Sequence, residues 1–392
     1  MKFVLYTNSV SPHQLPLAKE LVELLGADNY RYVYTTKRTD ERRCLGWADE
    51  TEHWIIFEHD HRGEVHQMLE TADVVMSTVR NLELFEHRIK NGLLTIYTSE
   101  RWFKPRIGFL RMLNPAFFAM AWRMASLLKT SKYFYYYPMG VHAASDMARV
   151  SGLFSWDARC LFRAPALVCV RQPCAKIMLD AIGGSKADNG RHGVSNMRLW
   201  GYFVKPSEKS ESIAGNNDSN FGSTLRVLWV GRLLSWKRVD TIIKAMIVYE
   251  KKLRKDSSLK KVVVDIYGVG PEEPRILRLA AGVTKVVRFH PPVEIAKVRE
   301  LMRAHDIYIL SSDGCEGWGA VVNEALEEGM RVVGTFEAGS SATILPSSNL
   351  FKAGDWKQVV RYLHDAPPHV EIGSWAVKQA AKALVNELGF GD

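Results

Sequence analysis

The chain has 392 residues, 47% hydrophobic and 24% charged, with a formal net charge of +9. That is long enough for two domains and apolar enough for a large core, and it excludes a disordered or low-complexity chain. The five cysteines (Cys44, Cys160, Cys169, Cys174, Cys315) form no CxxC pair, so free thiols are expected and a disulfide framework or zinc site is not.

The opening run Met1 to Tyr6 is too short for the apolar region of a signal peptide and reads as a first strand. A polar turn follows, Asn8 to Gln14, then helical spacing from Leu15 to Leu25, stopped by Gly26. His13 and Gln14 either line a ligand cleft or simply lead into that helix. Tyr30 to Thr35, Trp54 to Phe57 and Gly92 to Tyr97 read as strands, and Thr71 to Ser77 as a helix end feeding a strand. Just past the strand at 92–97 comes a charged pair, Glu100-Arg101, either a surface ion pair or a ligand-facing one.

Residues 102–132 stand out. Asn114-Pro115 is a helix start, and Phe117, Met120, Ala121, Met124, Leu127 and Leu128 share one face. Lys104, Arg106, Arg111, Arg123, Lys129 and Lys132 flank that face, with Trp102, Phe103, Phe109 and Trp122 interleaved. Arg111 and Arg123 exclude a membrane span. A basic, aromatic, amphipathic segment suits the surface of an anionic membrane; the alternative is a core-facing helix with a solvated basic side. No nucleic-acid fold motif accompanies the charge, so no nucleic-acid partner is expected. Tyr133 to Gly140 starts as a strand and ends in a turn. His142 and Asp146 follow on a helix, residues 155–195 read as an insertion, and Trp200 to Phe203 as the last strand of this half.

Lys205 to Thr224 is polar, with Pro, Ser, Asn and Gly, and reads as a linker. Leu225 to Val230 is a buried strand, followed by the basic turn Gly231-Arg232 to Lys237-Arg238 and a helix from Thr241 to Lys252. Val262 to Tyr267 is a strand ending in the turn Gly268-Val269-Gly270. Val286 to Phe289 is the next, with the loop His290-Pro291-Pro292-Val293 after it. Ile307 to Leu310, a turn rich in Ser, Asp and Gly, helical spacing from Ala320 to Leu326 and the run Val332-Val333 make a βαβ unit of a parallel sheet. Glu316 falls on its loop and Glu324 on its helix, eight positions later, with Gly317 and Gly319 between. Glycines there admit a ligand close to the backbone, and a helix start offers N–H groups to a phosphate. Carboxylates accept hydrogen bonds from hydroxyls, and a sugar nucleotide carries both hydroxyls and phosphates. Cys315 beside Glu316 has no neighbouring base and reads as packing. Trp375 to Leu388 is a final amphipathic helix with Ser374 before it as N-cap.

The segment Glu316-Gly317-Trp318-Gly319 with Glu324 resembles the donor-binding motif of retaining GT-B glycosyltransferases of family four, the glycosyl transferases group 1. Arg232 and Lys237 match that family's basic pair. The resemblance is strong over residues 225–355 and loose over 1–203. It implies an α/β fold of GT-B type, two Rossmann-like domains with parallel sheets facing across a cleft. The expected domains are an acceptor domain at 1–204, a linker at 205–224, a donor domain at 225–374 and a closing helix at 375–392.

The implied roles follow residue by residue. Glu316 lies beside the transferred sugar, Glu324 holds the ribose, and Arg232 and Lys237 grip the diphosphate. Gly231, Gly268, Gly317, Trp318 and Gly319 contribute to the donor site, and Pro292 and Val293 border the base. Glu100 stands where relatives place a polar residue near the sugar, in a Ser-Glu-Arg version that resembles bacterial capsular and exopolysaccharide enzymes. His13, Gln14 and Arg101 fall on the acceptor side. The chain departs from the family in having no glycine in the 8–14 turn and in carrying Glu337-Ala338-Gly339-Ser340 where a Gly-Gly turn is common.

The expected reaction moves a sugar from a nucleotide-diphosphate sugar to a lipid-linked or oligosaccharide acceptor, with retention and without a cofactor or metal ion. The expected location is cytoplasmic, peripheral at the anionic inner-membrane surface. A nucleotide-sugar 2-epimerase of the same fold, or a non-enzymatic protein that binds a nucleotide sugar or membrane, are the alternatives.

Overall fold

A computed structural model describes residues 1–38, 52–105, 108–154, 196–207 and 224–389. The segment at 155–195, most of the linker at 205–224, Arg106 and the side chain of Phe109 lie outside the described residues. The chain forms two compact units, one reaching Phe203 and resuming at Val377, the other running from Val204 to Ala376.

Each unit is built on a six-stranded sheet. In the first, β1 (Phe3–Thr7), β2 (Tyr30–Tyr34), β3 (Ile55–Phe57), β4 (Val74–Ser77), β5 (Leu94–Ser99) and β6 (Phe134–Pro138) lie in the order β3-β2-β1-β4-β5-β6, all pairs parallel. In the second, β7 (Thr224–Val230), β8 (Lys261–Tyr267), β9 (Val287–His290), β10 (Ile307–Leu310), β11 (Arg331–Thr335) and β12 (Leu350–Phe351) lie in the order β12-β11-β10-β7-β8-β9, again parallel. Counted from each unit's own first strand, the two orders are the same. Parallel strands are covered on both faces, which is why β1 and β10 are buried at every position. In such a sheet ligands bind at the carboxyl ends of the strands where the order reverses, here beside β1 and β4 and beside β7 and β10.

Local sequence explains most elements. The helix Leu15–Leu25 has Pro in its first turn and ends on Gly26 at φ 82°, a backbone shape that glycine takes without penalty. The helix Pro115–Thr130 starts on Asn114, whose side chain accepts the N–H groups of Ala116 and Phe117, and it buries Phe117, Ala121, Met124, Ala125 and Leu128. The closing helix begins at Val377, later than expected, because Gly373–Trp375 forms a separate 3-10 turn. It packs on Leu15–Leu25 within the first unit, and Arg198 Nε meets Glu387 Oε1 at 2.9 Å. Trp200–Phe203 is not a strand: the chain makes only isolated bridges, Tyr136 with Met197 and Met139 with Trp200, before it leaves the unit.

Buried charge is used as structure. Arg88 is fully buried and donates to Leu69 O, Ala72 O, Leu94 O and Thr95 Oγ1, and burial pushes its pKa down to about 10. Glu328 lies buried at the end of the helix Val321–Glu327. It accepts from Arg299 Nε, from Arg303 Nη1 at 3.0 Å and from Ser207 Oγ at 2.9 Å. Arg299 also donates to Lys205 O at 3.0 Å, so Lys205 and Ser207, expected in the linker, are tied to the second unit.

Burial alone pushes the Glu328 carboxyl up, but Arg299, Ser207 and Arg303 outweigh it and hold the pKa below the usual value. A carboxylate of this kind stabilises fully above its unfolded pKa and loses that contribution as pH falls through the lowered folded value. Glu328→Gln should therefore cost about 3 kcal/mol near neutral pH, because it leaves two guanidinium groups without their counter-charge. Melting curves from about pH 7 to pH 3 should show the wild type losing more stability in acid than the variant.

Candidate active site

The switch point beside β7 and β10 gathers most of the residues singled out in the sequence. After β7 the chain turns through Gly231 and Arg232 into a 3-10 turn, Ser235–Lys237. After β10 it turns through Ser311 and Ser312 to Glu316. Lys237 Nζ donates to Glu316 Oε2 at 2.5 Å, and Ser312 Oγ donates to the same oxygen at 2.7 Å. The backbones are joined as well: Ser311 Oγ donates to Lys237 O at 2.7 Å and Asp313 N to Trp236 O at 2.7 Å. Lys237 and Glu316 are only 19% and 13% exposed, so the pair is partly shielded from water. Arg232 is exposed and makes no ion pair among the described residues.

The third loop, after β11, braces the second. Thr335 Oγ1 donates to Ser312 O at 2.5 Å, and Ser341 Oγ to Thr335 O at 2.6 Å. Ser340 N donates to Trp318 O and Ser340 Oγ to Gly319 O, both at 2.8 Å. A Cβ on Gly339 would stand 2.3 Å from Gly317 O, so the two loops touch backbone to backbone. Trp318 faces inward: its indole is fully buried, donates to Asn323 Oδ1 at 2.9 Å and packs at a tilt against Trp375, with ring centroids 5.5 Å apart. What Trp318 offers at the loop surface is backbone, since its side chain packs the loop onto the helix Val321–Glu327.

Glu324 lies on the first turn of that helix, half-buried. Both Glu324 and Glu316 act on the buried Tyr308 at β10. Burial raises the phenol's pKa most, and the negative charges of Glu316 and Glu324 raise it further. The two carboxylates therefore share one neighbourhood.

Gly231 and Gly268 pack against each other at the ends of β7 and β8. A Cβ on Gly268, at φ 139°, would fall 1.9 Å from Gly231 O. Leu233 N donates to Val269 O at 2.9 Å and Gly268 N to His290 O at 3.1 Å, which links the turns after β7, β8 and β9. Pro292 is exposed and Val293 half-buried on the loop after β9. That loop is held by groups the sequence analysis passed over. The His290 ring stacks on Tyr267 at 4.3 Å, its Nε2 lies 2.6 Å from Asp265 Oδ1, and the other carboxyl oxygen lies 3.2 Å from His305 Nε2. The contacting pairs lie 23, 25 and 40 positions apart, so no local motif announces them.

In the first unit, the 8–14 turn is fixed from β2. Tyr32 Oη donates to Gln14 Oε1 at 3.2 Å, and Arg38 Nε donates to Val10 O at 2.7 Å. His13 packs near Tyr202 at 5.8 Å. His13 and Gln14 line a small cavity with Thr98 and Trp200, and the buried Thr98 Oγ1 has no hydrogen-bond partner there. Glu100 is half-buried. Arg101 Nε lies 3.8 Å from Asp146 Oδ2. That oxygen also accepts the N–H groups of Trp102 at 2.8 Å and Phe103 at 3.0 Å. Asp146, its pKa raised by burial, thus shapes the loop that carries Glu100 and Arg101.

Residues 217–366 match the family model of Glycosyl transferases group 1. The match lies within the second unit. Among curated proteins the chain is 28% identical over 145 residues to an uncharacterized glycosyltransferase of Methanocaldococcus jannaschii, covering 36% of each. It is 32% identical over 167 residues to D-inositol 3-phosphate glycosyltransferase 2 of Catenulispora acidiphila, covering 40% of this chain and 39% of that one. The matches thus span little more than a third of those relatives' length. Among solved structures it is similar to WaaG, a glycosyltransferase involved in lipopolysaccharide biosynthesis, with a TM-score of 0.55, 14% identity and coverage of 100% and 96% of the two chains. The lipopolysaccharide outer core galactosyltransferase WaaB gives 0.56 at 13% identity, with coverage of 100% and 99%. The fold is therefore GT-B.

The turn after β8 depends on the Gly268 contact for its position. Gly268→Ala forces a Cβ into Gly231 O and should cost about 3 kcal/mol or more. Gly282→Ala, with no atom within 4 Å of the new Cβ, is the control and should melt close to wild type.

Proposed function

We propose that the chain is a retaining glycosyltransferase that moves a sugar from a nucleotide-diphosphate sugar to a hydroxyl acceptor. The observation that carries this reading is the Lys237–Glu316 contact, beside the exposed Arg232 and the Glu324 carboxylate, at the switch point of the group 1 domain. When the glycosidic bond breaks, negative charge grows on the leaving diphosphate. Fixed cations there stabilise the transition state more than the ground state. Arg232 binds two phosphate oxygens at once, and Lys237 adds a point charge. The sequence has no Asp-x-Asp triplet to hold a metal ion, and these two cations supply the positive charge instead.

Among the described residues both bonds to Glu316 fall on Oε2, which leaves Oε1 to accept a sugar hydroxyl. Glu324 takes the ribose hydroxyls. Pro292 and Val293 border the base, whose edge is read by backbone. The leaving phosphate takes the acceptor's proton, so no separate base is assigned. In the first unit His13, Gln14, Glu100 and Arg101 face the acceptor.

The acceptor is a lipid-linked oligosaccharide of a surface polysaccharide, met at the anionic cytoplasmic face of the inner membrane. The support is local. Leu110, Leu113, Phe118 and Trp122 are 73%, 78%, 40% and 49% exposed, close together in sequence and beside exposed Lys104 and Arg111. Part of the expected cluster is otherwise engaged. Trp102 and Phe103 are in the core, Arg123 is paired with Glu86 at 2.7 Å, and Lys129 donates to Ser151 O at 2.8 Å. The insertion depth is therefore shallow. Among the described residues no helix is long and apolar enough to cross a membrane.

Two experiments test this reading. Thermal melting is run with UDP, GDP, ADP and dTDP separately. UDP is the first choice because the structural relative HepE of Anabaena binds it. A ligand at a hundred times its dissociation constant adds about 2.7 kcal/mol, a shift of a few degrees. Lys237→Ala should keep its fold and lose about a hundredfold or more in donor turnover; unchanged turnover would sink the assignment. For the membrane, Leu113→Ser combined with Trp122→Ser should lower sedimentation with phosphatidylglycerol vesicles several-fold, and full retention would count against surface binding.

A further inference from the structure

The residue after Lys237 holds a backbone shape that side chains rarely take. Arg238 has φ 50° and ψ 38°, in the left-handed region, and among the described residues it is the only non-glycine with positive φ. Glycine would adopt this shape freely; an L side chain is strained in it. What keeps arginine there is what its guanidinium meets. Nε donates to Asp240 Oδ1 at 3.3 Å. Its Nη2 lies over Gly354, where an added Cβ would come within 2.9 Å.

Asp240 is a shared anchor. It is buried, accepts from Lys244 Nζ at 2.9 Å and has Arg275 Nη2 at 4.0 Å. Burial pushes its pKa up, but the bonds from Lys244 and Arg238 outweigh that and keep it ionised below the usual range. Backbone bonds fix both sides of the reversal. Arg238 O accepts Thr241 N–H at 2.9 Å, Lys237 N–H donates to Leu234 O at 2.9 Å, and Lys237 O accepts from Ser311 Oγ at 2.7 Å. The lysine therefore sits between a clamped turn and a strained reversal, and its long side chain leaves that joint toward Glu316.

We infer that Arg238 is a positioning residue: by anchoring the left-handed reversal to Asp240, it aims Lys237 Nζ at Glu316. The inference rests on the reading of Lys237 as the cation of the donor diphosphate. Strain of this sort persists only where the surroundings over-determine it, and here it adjoins the cation whose placement matters most.

Three substitutions separate aim from mere stability. Arg238→Gly removes the strain and the guanidinium together, Arg238→Ala keeps the strain and drops the guanidinium, and Arg238→Lys returns a cation to Asp240. The glycine variant should melt within about 2 °C of wild type, because relief of strain offsets the lost pair. Its kcat with UDP-glucose should nevertheless fall about tenfold with a smaller change in KM, and Arg238→Lys should recover at least half of that loss. A second measurement needs no activity. In urea unfolding, the effect of Glu316→Gln should shrink about threefold in the unfolding constant when Arg238 is glycine, since the Lys237–Glu316 contact is then already loosened. If the two substitutions act independently in that cycle, or if Arg238→Gly turns over donor as fast as an active wild type, the positioning role is wrong. If wild type turns over no nucleotide sugar, the transferase reading fails, and the cycle still decides the positioning claim.

Discussion

The second unit is arranged around one contact, Lys237 Nζ on Glu316 Oε2, between the loops after two neighbouring strands. β7 and β10 are adjacent in the sheet although two strands, β8 and β9, lie between them in sequence. The helices that follow neighbouring strands at a switch point run to opposite faces, so their loops part and leave a crevice. Something must hold those loops at a fixed spacing. A charge-assisted hydrogen bond does so at about 1.5–3 kcal/mol, and the partial shielding of both groups keeps it from being screened away. The pair also prepares the crevice electrically. Lys237 and Glu316 compensate one another's charge, and the exposed Arg232 adds a cation on the turn after β7.

That contact depends in turn on backbone packing that tolerates no side chain. Gly268 against Gly231 O, Gly270 against Leu233 O and Gly339 against Gly317 O all bring main chain to main chain below the distance any Cβ allows. The turns after β7, β8, β10 and β11 are thereby stacked into one continuous rim. Side-chain hydroxyls finish the job: Ser311, Thr335 and Ser340 are buried and donate to a neighbouring loop, while the buried Ser312 and Ser341 brace their own loops. A rim built from backbone and short hydroxyls loses little entropy when a ligand arrives, which is the condition for electrostatic stabilisation without reorganisation.

Much of this was legible in the sequence, and the remainder was hidden for identifiable reasons. Strands buried on both faces read as unbroken apolar runs, so Phe3–Thr7, Thr224–Val230 and Ile307–Leu310 lay close to where the runs placed them. The polar helix Arg62–Thr71 was read only at its end, at Thr71, because it buries only Val65 and Leu69 and has little apolar face to detect. Residue types at the switch point were visible, but the direction of a loop side chain is not a sequence property. Trp318 could stand at the site or in the core, and its bond to Asn323 turns it inward. Contacts across long separations were invisible for the same reason: Asp146 reaches Trp102 N over 44 positions, and Asp265 reaches His305 over 40. Trp200–Phe203 misled because aromatic residues favour strands, whereas here Trp200 and Phe203 pack on each other, with ring centroids 4.8 Å apart, as the chain leaves the sheet.

The two units share one strand order and differ in what their loops carry to the same edge. At the second unit's switch point stand two cations and two carboxylates. The matching edge of the first unit presents His13, Gln14 and Thr98, with the half-buried Glu100 and the Arg101–Asp146 pair on the loop after β5. An edge with several neutral donors and acceptors orients an uncharged hydroxyl compound by hydrogen bonds. An edge of fixed charges suits a ligand that carries phosphate. Since the sheets are alike, this difference comes from a few side chains on loops, and loops accept such change at little cost to the core. The chemistry of each unit is thus set at its rim, while its stability is set by the strands beneath.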